Sequence, residues 1–169
     1  MVKFTPKEIM EFIQFLEKVV KNSYRFPDEK TMRAVHETIS IWAIELVISR
    51  RRQRKKEILL TIYDGEAEKF QGKWHIPGGY NLWPEPDIQA TCSRIARREL
   101  GIDVQYLKVI DIYKWLSEEH PYGHPLSIYA ECLPQETITE SDKLRFFPID
   151  ELPENLLEPH RRFIEKYLR

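Results

Sequence analysis

The sequence has only two cysteines, Cys92 and Cys132, in 169 residues. No disulfide framework holds such a chain together, and two unpaired thiols suit a reducing, cytoplasmic setting. Cys92 falls on the apolar side of a predicted helix and Cys132 at the end of a predicted strand, so both read as core residues rather than as a catalytic thiol. No run approaches the roughly eighteen apolar residues that a membrane helix requires. The opening MVKFTPKE has neither an apolar stretch nor a cleavage pattern, so no signal peptide is expected. An excess of one charge is missing as well. The 26 Lys and Arg nearly cancel the 27 Asp and Glu, which removes the global attraction that nucleic acid or an anionic membrane would exploit. Internal repeats and low-complexity linkers are absent too.

What is present is a soluble globular balance, 42% hydrophobic and 31% charged, in a length that suits one compact domain. TPKEIMEFIQFLEKVV opens with a capping box: Thr5 caps, Pro6 suits the first turn and Glu8 reaches back to the cap amide. Ile9, Phe12, Ile13, Leu16, Val19 and Val20 then recur at helical spacing. That apolar face needs a partner, either the rest of the chain or a second copy of it in a homodimer. Residues 1–38 are read as a helical extension packed on a domain formed by residues 39–169.

TISIWAIELVIS and EILLTIYD are rich in β-branched and aromatic residues and flank RRRQRKK (50–56), so they read as a hairpin with a basic, solvated loop. A nucleic-acid contact there is the weaker reading, because no aromatic platform is interleaved with the charges. KWHIP is a short strand feeding a Gly78-Gly79 turn. Asp87 caps the next helix, which runs over residues 88–100 and stops at Gly101, a residue suited to the left-handed position that ends helices. VQYLKVIDIYKWL, PLSIYAECL and KLRFFPI are further strands, and EPHRRFIEKYLR closes the chain as an amphipathic helix with Phe163, Ile164, Tyr167 and Leu168 inward. Strands interspersed with helices imply an α/β fold, a mixed sheet covered on both faces.

A Gly-Gly turn leading through a loop into a helix brings backbone carbonyls and acidic side chains together. Glycines allow the close approach that a Cβ would forbid. Helical residues four apart share a face, which pairs Ile95 with Glu99 and Arg94 with Arg98.

These residues resemble the box of the Nudix hydrolase superfamily: Gly, five residues, Glu, seven residues, then Arg-Glu-apolar-x-Glu-Glu-x-Gly-apolar. Gly79 and Glu85 fit the first spacing, and eight residues rather than seven lead to Arg94. From there Arg94, Ala96, Glu99, Gly101 and Ile102 match, while Ile95 and Arg98 stand where two glutamates are expected. WHIPGG, FFPIDELPENL and PHRRF extend the resemblance over residues 39–168. It implies a Nudix-like α/β/α sandwich with a mixed sheet, here with an extra N-terminal helix. It also implies a magnesium-dependent hydrolase, with manganese as a substitute ion, acting on a nucleoside diphosphate linked to another group.

RIARRELG is similar to the Arg-Leu-x-x-Ala-Glu-Leu-Gly of the GDP-mannose mannosyl hydrolases. That likeness implies one magnesium ion stabilising a departing nucleoside diphosphate while a histidine-assisted water attacks the sugar carbon. On this reading Gly79, Glu99 and, as an outer partner, Glu85 serve the metal, although Glu85 also reads as simply solvated. Arg94 orients the carboxylates and braces the loop, and Arg98 favours an anionic diphosphate. His124 or His120 supplies the base, His124 preferred because it lies nearer a strand, and an ordinary imidazole suits that role at neutral pH. Tyr80, Trp83 and Trp115 either stack on base or sugar or pack as core and rim. His75 reads as a strand side chain, while His36 and His160 carry no signal. The competing reading, drawn from the missing glutamates, is a Nudix-fold sensor domain that binds a nucleotide without hydrolysing it.

Overall fold

The computed structural model describes residues 5–21, 28, 30–31, 34–35, 41–65, 67–82, 85–121 and 123–168; Trp83, a predicted ligand contact, lies outside them. Helix α1 (Pro6–Lys21) is followed by β1 (Trp42–Val47), β2 (Ser49–Arg52), β3 (Lys55–Ile62), a single 3₁₀ turn (Glu68–Phe70), β4 (Trp74–His75) and β5 (Gly78–Tyr80). Then come α2 (Ile88–Leu100), β6 (Val104–Lys114), β7 (Leu126–Pro134), β8 (Leu144–Pro148) and α3 (Glu158–Tyr167). Among the described residues, no helix is long and apolar enough to cross a membrane.

The strands form two four-stranded sheets. One has the order β5-β1-β7-β6 and is mixed, because β1 runs parallel to β7 but antiparallel to β5. In the other, β3 pairs antiparallel with β2, β4 and β8. Side chains alternate across a strand, so β1 serves two layers. Ile44 and Leu46 pack with Cys92, Ile95, Ala96 and Leu100 of α2, whereas Val47 packs with Phe163 and Ile164 of α3. Helices therefore cover both sides of a mixed sheet, the architecture expected from the sequence. Each fully buried Leu or Ile in these layers contributes about 2 kcal/mol.

The helix ends form as their residues dictate. Glu8 accepts from the Thr5 amide at 2.7 Å, and the Glu8 amide donates to Thr5 Oγ1 at 3.3 Å, closing the capping box. Asp87 Oδ1 accepts from the Ala90 amide at 2.8 Å, and Gly101 takes the left-handed conformation at φ 70°. Gln89 ties α2 to the next strand, donating to the Val104 carbonyl and accepting from the Tyr106 amide.

Two expectations change. The predicted first hairpin strand divides at Ile48: β1 joins one sheet and β2 the other, and the tight hairpin is β2 with β3. Its turn residues, Gln53 and Arg54, both have positive φ, as the favoured two-residue turn demands. Most of the basic run is thus strand rather than loop, and Arg50 lies over the Phe146 ring while pairing with Glu57 and Glu140. On α1, Val19 is buried, but Ile9, Met10 and Phe12 are each about half exposed, so its predicted apolar face is only partly covered.

Candidate functional site

The end of α2 meets the start of β5 at a cavity of about 860 Å³. Gly78, Gly79, Tyr80, Arg98 and Glu99 line it from the glycine strand and α2; Glu45, His75, Trp115, His120, Ser127 and His160 line it from the sheets, the neighbouring loop and α3. Of the predicted site residues, Gly79, Glu99, Arg98, Tyr80, Trp115 and His120 share this space. Glu85, Arg94 and His124 do not line it.

Glu85 and Arg94 have a different task from the one expected for Glu85. Arg94 forms an ion pair with Glu85 through Nε, and its Nη2 donates to the Tyr80 carbonyl at 2.6 Å. Glu85 also accepts from the Leu82 amide at 2.8 Å and from the Thr91 hydroxyl at 2.8 Å. These donors hold its carboxyl below the usual range against a burial effect in the other direction. With its oxygens bonded to its own loop and helix, Glu85 braces the connection between β5 and α2. Arg94 ties the loop to α2 through these bonds.

Arg98 lines the site between the glycine strand and Glu99. Its Nη2 donates to the Gly78 carbonyl at 2.9 Å, and its Nε donates to Glu99 Oε1 at 2.9 Å. A Cβ on Gly79 would meet Arg98 Nη2 at 2.9 Å, so the missing side chain makes room for the guanidinium. The sequence paired the Gly79 carbonyl with Glu99; here a cation from the chain itself bridges Glu99 and the neighbouring Gly78 carbonyl.

Glu45 was not anticipated. It is buried on β1, directly opposite Gly78 in the β1–β5 pairing, and Ser127 Oγ donates to it at 2.7 Å. Ser127 in turn accepts from Trp115 Nε1 at 2.8 Å, so Trp115 is a buried anchor of this chain of bonds. Burial pushes the Glu45 carboxyl up to about 7; Ser127 opposes the shift and the Glu99 charge adds to it. An acid in the apolar run AIELV was the available signal, since a strand buried on both faces seldom spends a position on an unpaired charge.

Two buried histidines stand nearby. His160 Nδ1 accepts from the Ile76 amide at 2.9 Å, which places the proton on Nε2, 3.9 Å from Glu45 Oε2. Among the described residues, that Nε2 has no hydrogen-bond partner, and burial holds the imidazole neutral, well below its ordinary pKa. His75 is driven down to about 4, chiefly by burial. Of the two candidate bases, His120 is buried against Trp115 and Phe70 on the cavity wall, whereas His124 is exposed. Proximity to the strand did not decide which histidine turns inward; the aromatic cluster of Phe70 and Trp115 did.

The donors fit a divalent ion poorly as they stand. Glu99 and the Gly78 carbonyl are engaged by Arg98, and burial pushes the Glu45 carboxyl up toward its protonated form. Among the described residues, no group of three or more His, Cys, Asp or Glu side chains could hold a metal.

The family described as NUDIX domain matches residues 43–167. The structure of NrtR from Shewanella oneidensis aligns with TM-score 0.59 at 16% identity, covering 76% of this chain and 62% of that one. MutT NUDIX hydrolase from Burkholderia pseudomallei aligns with TM-score 0.58 at 24% identity, covering 75% of this chain and 97% of that one. The NUDIX domain of Shewanella oneidensis NrtR complexed with ADP ribose aligns with TM-score 0.55 at 15% identity, covering 76% and 86%. At these identities the likeness speaks for the fold alone. Among curated proteins none matches the chain.

Proposed function

The chain belongs to the NUDIX domain family, and from that premise we propose that it hydrolyses a nucleoside diphosphate linked to another group, with sugar nucleotides the first class to test. The observation that carries this reading is the meeting of Glu45, Glu99 and Arg98 in one cavity beside the Gly78-Gly79 strand. Arg98 offers a fork of N–H donors to diphosphate oxygens and balances charge that grows on a departing phosphate. Glu45, with a pKa near 7, is suited to take a proton from an attacking water at neutral pH. The likeness of RIARRELG to the GDP-mannose mannosyl hydrolases supports a sugar nucleotide as substrate.

A panel of sugar nucleotides, ADP-ribose and dinucleoside polyphosphates, with and without magnesium or manganese, tests this reading through its products. Hydrolysis in heavy-oxygen water then tells whether phosphorus or carbon is attacked. Product from no member of the panel would discard the hydrolase reading.

The second reading is nucleotide binding without turnover. The Arg98–Glu99 pair favours it, because the box carboxylate is already neutralised within the chain. Saturable binding of ADP-ribose with no product would select this alternative.

A further inference from the structure

The Arg98 guanidinium bridges two oxygens of the kind a metal would seek at this place, the Gly78 carbonyl and Glu99 Oε1. Its Nη2 also lies 2.7 Å from Glu99 Oε1, so the pair is a close two-nitrogen contact rather than a passing one. Gly79 supplies the floor: Nη2 and Nη1 would stand 2.9 and 3.5 Å from a Cβ there. The two N–H groups of Nη1 have no hydrogen-bond partner among the described residues, and the side chain is about half exposed, so a ligand can reach them.

Charge points the same way. Arg98 and Glu99 sum to zero before any ligand arrives. A divalent ion entering beside Glu99 would confront a resident positive charge and find a carbonyl already bonded. Magnesium also demands a near-ideal octahedron of oxygens, which a guanidinium at the same two oxygens obstructs. A diphosphate meets the opposite situation, since a planar fork of N–H donors matches paired phosphate oxygens.

We propose that Arg98 is the resident cation of this site and that it binds a diphosphate directly, so that nucleotide binding needs no divalent metal. The inference rests on the reading of the cavity as a diphosphate site, whether or not turnover follows. If metal does not strengthen nucleotide binding, linkage requires that nucleotide not strengthen metal binding.

The test is calorimetric titration of ADP, GDP and ADP-ribose into the intact protein, in EDTA and in magnesium. Mn2+ alone is titrated in parallel and read by its electron-spin resonance signal. At least one nucleotide should bind with dissociation constants that agree within about twofold in the two buffers. Arg98→Gln should weaken that binding in EDTA by at least about tenfold, the scale of one charged hydrogen bond. Arg97→Gln, one residue along and ion-paired with Asp103, should leave it unchanged. Arg98→Glu should add a saturable Mn2+ site that the wild type lacks and should make the remaining nucleotide binding depend on metal. Should Arg98→Glu fail to fold, the wild-type and Arg98→Gln titrations decide alone.

Nucleotide binding that appears only with magnesium, a tight Mn2+ site in the wild type, or an unweakened Arg98→Gln overturns the inference and leaves the diphosphate site standing. No binding by any of the three nucleotides in either buffer overturns both.

Discussion

Glu45 fills the space that a side chain on Gly78 would need. The two are paired across β1 and β5, and a Cβ on Gly78 would meet Glu45 Cδ at 2.8 Å and the Ile44 carbonyl at 3.0 Å. The carboxylate cannot simply swing aside, because it is buried and held by Ser127. The close approach that the glycine pair allows is, at Gly78, the approach of a packed acid.

Gly78→Ala should therefore destabilise the fold by about 1–3 kcal/mol, the usual cost of overpacking a dense interior. Urea unfolding measures this. Adding Glu45→Ala removes the obstructing carboxylate, so the double variant should be more stable than the sum of the two single effects implies. Strict additivity would show that the two side chains do not compete for this space.

The acid also shapes the pH dependence of stability. Native Glu45 keeps its proton up to about pH 7, whereas an ordinary glutamate releases it near 4.5. Between those values the native state holds the extra proton, so this residue's contribution to stability falls as pH rises, by about 3 kcal/mol across the window. Neutral buried His75 and His160 act in the opposite sense, since the unfolded chain takes up their protons in acid. Glu45→Gln separates the two. Relative to wild type it should gain stability as pH rises from 4.5 to 7 and keep the gain above that, as read from denaturation midpoints at each pH. A difference that stays flat with pH would contradict the shift.

Arg94→Ala and Glu85→Gln should each lower stability by about 2 kcal/mol, because each leaves a partly buried charge or amide without its partners. In a double-mutant cycle the two losses should overlap by at least about 0.5 kcal/mol. A cycle with no coupling would count against a loop brace.

Under the hydrolase reading, Glu99→Gln should lower turnover by at least about a hundredfold while leaving folding nearly intact, since the substitution is close to isosteric. His120→Gln should disturb catalysis, because His120 lies on the cavity wall and His124 is exposed outside it. His124→Gln should leave both turnover and the acid limb of the pH–rate profile unchanged. Loss of that limb in His124→Gln would move the base from Glu45 to the exposed histidine.

Much of the frame was legible in the sequence because local physics specified it. The capping box at Thr5 and Glu8, the cap at Asp87 and the stop at Gly101 are bonds between near neighbours, so spacing alone reveals them. The alternation in the strands and the helical spacing of Cys92, Ile95 and Ala96 likewise assign α2 to one side of the sheet. The glycine pair, Arg98 and Glu99 were recognisable as candidates for one site, since motif spacing carries that information.

What those groups do to one another was settled only by the fold. Glu45 is 33 residues before Gly78 in the chain, and only the antiparallel register of β1 and β5 sets its carboxylate on that glycine. His160 comes from the last helix, and its burial beside Glu45 follows from α3 packing on the sheet. Glu85 read either as an outer metal partner or as solvated, and only the fold shows its oxygens bonded to Arg94, Thr91 and the Leu82 amide. His120 and His124 differ by four residues in a loop, and which one turns inward depends on Phe70 and Trp115. Periodicity and spacing determine which residues share an element, because those are short-range constraints. Burial, ion pairing and proton affinity arise between elements distant in the chain, and only the tertiary structure decides them.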